Sequence, residues 1–178
     1  MTAEPCPVDD GAPTSIVRAT VTDIDGIRGV VREVWDQGIL PGACESLIRG
    51  ERSALWVARA DETVLGFASG FRTVNALGHR RGEIDLLAVR PSHQGEGIGP
   101  RLIAALGEDA ESWGIDMLRA LIRIENRPSQ KAFAQDGFVT DGRVHQLLLW
   151  EPLQGEEQHV RPEGVSLIPV DTVTYRGL

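Results

Sequence analysis

The segment LLAVRPSHQGEGIGPRLIAAL, residues 86–106, constrains this chain more than any other. An apolar run ends at Val89, a turn carrying Gly95, Gly97 and Gly99 follows, and helical apolar spacing opens at Pro100. Such a strand–turn–helix junction aims several main-chain N–H groups at one point, beside the positive end of a helix macrodipole. Glycines let the backbone close on a ligand with no Cβ in the way. Proline suits the first helical position, which has no use for an N–H. The expected product is an anion site, built by Gln94, Gly95, Glu96, Gly97, Ile98 and Gly99 and fit for a phosphate or pyrophosphate.

Two common phosphate loops do not match. A Walker loop needs G-x-x-x-x-G-K-[ST], and the chain has no such string. A dinucleotide fingerprint needs G-x-G-x-x-G, and counted from Gly95 its sixth position is Pro100. That fingerprint also wants an early βαβ unit, whereas two helices and a hairpin come first here.

The remaining pattern reads as strands and helices in turn. Residues 15–20 alternate as a first strand. Thr22 caps a helix in which Ile24, Ile27, Val30, Val31 and Val34 recur at helical spacing, and Gly38 ends it. Pro41 opens a second, short helix through Leu47 and Ile48. Residues 53–60 and 63–71 form a hairpin joined at Asp61-Glu62. A Gly- and Arg-rich loop covers 72–81, and residues 83–89 form a fourth strand. A helix over 100–113 carries the stripe Leu102, Ile103, Leu106, Ala110 and Trp113. Residues 117–124 form a fifth strand, a helix runs from Pro128 to about Gln135, and Gly137-Phe138-Val139 and 144–150 supply the last strands. The order β-α-α-β-β-β-α-β-α-β-β predicts an α/β chain (α+β, one mixed sheet) with helices on both faces. Residues 1–14 read as a mobile arm, 15–152 as one domain, and 153–178 as a tail that covers the domain, joins a partner, or stays loose. Trp35, Trp56, Trp113 and Trp150 sit at core-like positions.

A third phosphate motif does match. V-x-P-x-x-[Q/R]-x-x-G-x-[G/A] stands here as Val89, Pro91, Gln94, Gly97 and Gly99. A second pattern, N-x-x-[A/S]…G-F, stands as Asn126, Ser129, Gly137 and Phe138. With both motifs, and with the element order of residues 16–150, the chain resembles the GNAT superfamily of N-acetyltransferases. The resemblance implies the acyl-CoA N-acyltransferase fold with splayed central strands, and acetyl-CoA as cosubstrate without a metal.

It also implies roles. Backbone amides of residues 94–99 would bind the CoA pyrophosphate, with Arg101 as a further phosphate contact. The pantetheine arm would pair with the fourth strand along Leu87, Ala88 and Val89, where an N–H would polarise the thioester carbonyl. Asn126 and Ser129 would hold the pantetheine or the sulfur from the other side. Glu83 is the candidate base that takes the amine proton, and Asp85, two residues along the same face, is its alternative. The family tyrosine that protonates the leaving thiolate corresponds to Phe133, which has no proton to give; Ser129 or a water would have to serve. The only tyrosine, Tyr175, lies in the tail.

Composition narrows the acceptor and the setting. The net charge is −8, so a basic nucleic-acid face is excluded and a cationic amine is favoured. Cys6 and Cys44 stand alone, as free thiols of a reducing cytoplasm. No apolar run reaches the roughly 18 residues of a membrane span, and the first residues do not read as a secretory signal. His79, His93 and His145 have no assigned role, although His145 could line the acceptor site. The expectation is a cytoplasmic N-acetyltransferase acting on a small-molecule amine, with no membrane or nucleic-acid partner, and with a tail that could make a dimer. A protein or peptide acetyltransferase and a CoA-binding sensor without turnover are the alternatives.

Overall fold

The computed structural model describes residues 13–35, 38–39 and 42–143. Expectations that fall on Cys6, Pro41, His145, Trp150, Tyr175 and the segments 144–150 and 153–178 lie outside the described residues. The chain divides into two compact units, Met1–Thr140 and Asp141–Leu178. The architecture below is that of the first unit.

Among the described residues, five strands form one sheet in the order of the sequence. They are β1 (Ser15–Arg18), β2 (Ser53–Ala60), β3 (Thr63–Val74), β4 (Arg80–Val89) and β5 (Met117–Ala120). The first four run antiparallel, and β4 and β5 pair in parallel. Among the described residues, four α-helices accompany them: α1 (Ile24–Val34), α2 (Ala43–Arg49), α3 (Ile98–Ser112) and α4 (Arg127–Gln135). The parallel pair needs a crossover, and α3 is that crossover. The mixed sheet with helices on its two faces is the α/β arrangement expected from the sequence.

Two cores form, one on each face. Leu102, Ile103, Leu106 and Trp113 of α3 and its end pack with Ala54, Ala68 and Ile84 of the sheet. On the other face Ile27, Val30 and Val31 of α1 pack with Val57, Phe67 and Ala88. The helical spacing read from α1 therefore does bury Ile24, Ile27, Val30 and Val31.

Local details differ from the sequence reading. Thr20, not Thr22, starts the turn into α1, and the Asp23 carboxylate accepts its N–H at 2.8 Å and its hydroxyl at 2.9 Å. Arg59 lies 3.4 Å from the same carboxylate, which compensates a buried charge. The loop expected over 72–81 is mostly ladder: Thr73 opposes Arg81 and Val74 opposes Arg80. Asn75 closes the short remaining turn by accepting the N–H groups of Leu77 and His79. Polar composition suggested a loop, but pairing across β3 and β4 outweighs it. α3 begins at Ile98, two residues before Pro100, which still falls within the first turn where an N–H has no helical partner. β5 stops at Ala120, because its ladder with β4 ends at the Ile84–Ala120 pair. Gly137, Phe138 and Val139 follow α4 as irregular chain, and Phe138 turns back onto Phe133.

Gly66 is fixed by a close approach. A Cβ there would stand 2.8 Å from the Ala88 carbonyl and 3.2 Å from Val89 Cα, both backbone atoms that cannot swing aside. Gly66→Ala should therefore destabilise the fold by about 1–3 kcal/mol, read as a lower urea midpoint with an unchanged m-value.

Candidate active site

The glycine turn after β4 places two of its glycines in the left-handed region, Gly95 at φ +88° and Gly97 at φ +77°. Gly97 is the residue that opens α3. Among the described residues, no protein acceptor takes the N–H of residues 95–99. An added Cβ on Gly95 or Gly97 would meet nothing within 4 Å, so these residues bound open space rather than packed protein. Free donors at the positive end of a 15-residue helix, facing a cradle that side chains would fill, fit a diphosphate.

Flanking bonds hold the turn in shape. Gln94 donates from Nε2 to the Val89 carbonyl at 3.0 Å, so its side chain braces the loop from inside. Arg90 donates from Nε to the Val64 carbonyl at 2.8 Å, and its guanidinium also pairs with Glu33 of α1. Arg90 thus ties the end of β4 to both β3 and α1 just before the turn. Arg101 is directed elsewhere: its Nη2 donates to the Thr14 carbonyl at 2.8 Å. That bond uses part of the guanidinium expected for phosphate.

The strands beside the turn part from each other. β4 pairs with β5 only from Arg81 to Ile84. The Arg90 N–H bonds the Leu65 carbonyl of β3, so by strand alternation Ala88 also points its peptide groups at β3. Leu87 and Val89 then point theirs at the open edge. Of the three residues expected to meet the pantetheine, Leu87 offers its N–H and carbonyl to a new strand, and Val89 offers its N–H alone, since its carbonyl already accepts from Gln94. Ala88 does not: it is engaged opposite Phe67 and is only 3% exposed.

A bulge sits in the middle of β4. Ser69 opposes Leu86 and Gly70 opposes Ile84, which leaves Asp85 as the extra residue. Side-chain parity changes there. Ile84 packs on the α3 face, whereas after the bulge Leu87 and Val89 pack there and Leu86 and Ala88 pack under α1. Glu83, flanked by Gly82 and Ile84, faces the α1 side.

The two candidate carboxylates are in different states. Glu83 Oε2 accepts both Nε and Nη2 of Arg119, at 3.0 and 2.7 Å. Arg119 is its register partner on β5, and the pair is largely shielded on the Glu83 side. Asp85 has no hydrogen bond or ion pair among the described residues. It reaches solvent, yet partial desolvation first, and the Glu83 carboxylate second, push its pKa above the ordinary value.

Arg119 escaped the sequence reading. A charge inside the apolar run MLRALIRI was the available sign that a partner was needed, since an arginine in such a strand is costly alone.

On the far side of the gap, Asn126 opens α4, and its Oδ1 accepts the Ser129 N–H at 3.1 Å. The Ser129 hydroxyl makes no hydrogen bond among the described residues. Phe133 is 5% exposed and stands edge-on to Phe138 at 5.0 Å. Its ring belongs to the core on the α3 face and presents little surface to a cofactor. His93 directly precedes the turn, where its Nδ1 lies 2.8 Å from the Ser92 hydroxyl. Among the described residues, no group of three or more His, Cys, Asp or Glu side chains could hold a metal ion.

A sequence model described as the acetyltransferase (GNAT) family matches residues 29–138, more than half of the chain. The chain belongs to the acetyltransferase (GNAT) family.

Named acetyltransferases show how far the likeness extends. A mycothiol acetyltransferase from Brachybacterium faecium is 32% identical over 91 residues, which cover 51% of this chain and 28% of that protein. The chain thus matches under a third of that relative's length. The aminoglycoside acetyltransferase AAC(6')-Iy, solved with a bisubstrate analog, superposes with a TM-score of 0.67 at 23% identity, over 78% of this chain and 99% of the other. An aminoglycoside acetyltransferase from an uncultured soil metagenomic sample superposes with a TM-score of 0.67 at 16% identity, over 81% of this chain and all of the other. At these identities the structural likeness shows the GNAT fold. Among the described residues, no helix is long and apolar enough to cross a membrane.

Gly97→Ala tests the cradle. Its left-handed φ costs an alanine about 1–2 kcal/mol, and the new methyl enters the cradle. CoA affinity measured by calorimetry should fall by about tenfold or more, while the melting temperature drops only modestly.

Proposed function

We propose that this GNAT protein transfers the acetyl group of acetyl-CoA to the primary amine of a small cationic acceptor. The observation that carries the proposal is the set of unengaged N–H groups at residues 95–99, beside the open edge of β4. Acetyl-CoA would supply a thioester, whose carbonyl the amine attacks and whose thiolate leaves. The N–H groups of residues 95–99 hold the diphosphate, while Gln94, expected to join them, already gives its N–H to the Pro91 carbonyl and its side chain to Val89; the Leu87 backbone and the Val89 N–H offer an added strand its partners. The Leu87 or Val89 N–H is the oxyanion donor.

Asp85 is the base in this reading, and Glu83 is a positioning residue. An ammonium group cannot attack, so its proton must pass to a group with free lone pairs, directly or through water. Glu83 already has both Arg119 donors on one oxygen. Asp85 is unpaired, and its raised pKa makes it a better proton acceptor than an ordinary carboxylate. Together the two carboxylates attract a cation. Phe133 cannot protonate the leaving thiolate, but a thiol with a pKa of about 8.5 departs tolerably without an acid. The Ser129 hydroxyl, with no hydrogen bond among the described residues, is the candidate proton donor of α4. The mycothiol acetyltransferase relative supports a small-molecule acceptor.

Phe133 also favours a second reading, a CoA-binding sensor without turnover. Free-thiol release from acetyl-CoA, measured with a panel of aminoglycosides, polyamines, amino acids and lysine peptides, separates the readings. Amine-dependent release supports an enzyme, and its absence with CoA binding intact supports a sensor.

Asp85→Asn should lower kcat by about 10²- to 10⁴-fold and remove the acid limb of the pH–rate profile. In the unaltered protein that limb should lie above the ordinary carboxylate range, because activity needs Asp85 deprotonated. The folded state holds the Asp85 proton more tightly than the unfolded chain, so Asp85 costs stability as pH rises through its raised pKa. Asp85→Asn should therefore raise the melting temperature at neutral pH and leave it unchanged below the ordinary carboxylate pKa.

A further inference from the structure

A cavity of about 370 Å³ opens where β1 ends, β2 begins and β3 ends. It is remote from the phosphate turn. Gly66 on β3 lies beside the turn and Arg72 lines the cavity, a span of about 20 Å along a strand. α3 gives the same answer, because its start forms the turn and Trp113, past its end, lines the cavity. Fifteen residues of helix cover about 22 Å. The cavity is also on the other side of the sheet from the carboxylates. Arg72 bonds the Trp113 carbonyl on the α3 face, whereas Glu83 faces α1.

Three arginines line it, Arg18, Arg52 and Arg72, against one carboxylate, Glu51. The lining is thus net positive in a chain of net charge −8. Each arginine is held differently. Arg18 pairs with Asp109 at 2.7 Å and lies over Trp56, 5.9 Å from the ring centre. Arg72 donates from Nη1 to the Trp113 carbonyl at 2.9 Å, while its buried Nε–H has no acceptor. Arg52 has no ion pair and no side-chain hydrogen bond among the described residues.

The two hydroxyls of the wall already spend their protons. Ser53 donates to the Leu47 carbonyl at 3.0 Å, and Ser112 donates to the Asp109 carbonyl at 2.6 Å. The guanidiniums are therefore the free donors. A neutral carbonyl offsets only part of the charge on Arg72, and Arg52 has no ion pair among the described residues, although Glu51 lines the same cavity. The wall is tightly made: a Cβ on Gly50 would stand 2.2 Å from Ser53 Oγ, so glycine lets α2 end against β2.

We propose that this cavity binds a small polyvalent oxyanion, a phosphate ester or a di- or tricarboxylate, at a site separate from the phosphate turn. Planar guanidinium forks match both chemistries, because each presents paired oxygens. The site does not depend on the proposed acetyl transfer. Its occupant would sit against β3 one residue from Phe71, the register partner of Glu83, so binding there has a route to the catalytic strand.

The test is calorimetry on the full chain with CoA at saturation, which fills the turn. Inorganic phosphate and citrate are the two probes, and their relative affinities distinguish phosphate from carboxylate preference. At least one should bind, more weakly as salt rises. Arg52→Gln and Arg72→Gln should each weaken it by about tenfold, with CoA affinity unchanged. Arg52 is exposed, so its variant remains informative if Arg72→Gln fails to fold. The proposal is overturned if neither anion binds, or if binding survives Arg52→Gln undiminished. Loss of CoA binding alone would count against the acetyl-transfer reading and leave this site standing or falling on its arginines.

Discussion

The account depends on main-chain N–H groups that the protein itself leaves unused. Residues 95–99 could have satisfied their donors with side chains or a neighbouring carbonyl, as buried backbone does. Here they lie at the positive end of α3, in a turn with two left-handed glycines. Everything around the turn keeps it open and fixed. Gln94 braces it against Val89, and Arg90 anchors the strand before it to β3 and α1. Gly66 brings β3 close enough to β4 to set the height of the strand end.

A second constraint follows from one extra residue. The bulge at Asp85 changes which side chains face α3, and the β4–β5 ladder ends at Ile84, beside it. The strands part where the bulge begins, so one local irregularity relates the open edge of Leu87 and Val89 to an unpaired carboxylate. Glu83, one pair earlier, is still inside the parallel ladder and is held by Arg119 across it. Two carboxylates two residues apart are thereby sorted into a bound one and a free one.

Much of this was legible in the residues. The glycines of the turn, the helix after it and the Asp61-Glu62 hairpin all carry local signals, because their causes are backbone conformation and short-range periodicity. What escaped depends on pairing between distant segments. No residue near Asp85 announces a bulge, since it exists only relative to β3. The ladder of 73–74 with 80–81 hid beneath a Gly- and Arg-rich composition. The Thr20–Asp23 bonds won over Thr22 because Asp23 is also held by Arg59 from β2. Asn126 and Ser129 were legible as a motif, but the bond between them was not, and it turns Asn126 into the residue that opens α4.

The most direct test of the central claim is amide chemical-shift mapping on isotopically labelled protein titrated with CoA. The account predicts that the largest downfield changes fall on the N–H signals of Gly95, Glu96, Gly97, Ile98 and Gly99, with smaller ones on Leu87 and Val89. Binding that leaves the signals of 95–99 in place, or no binding, would contradict it.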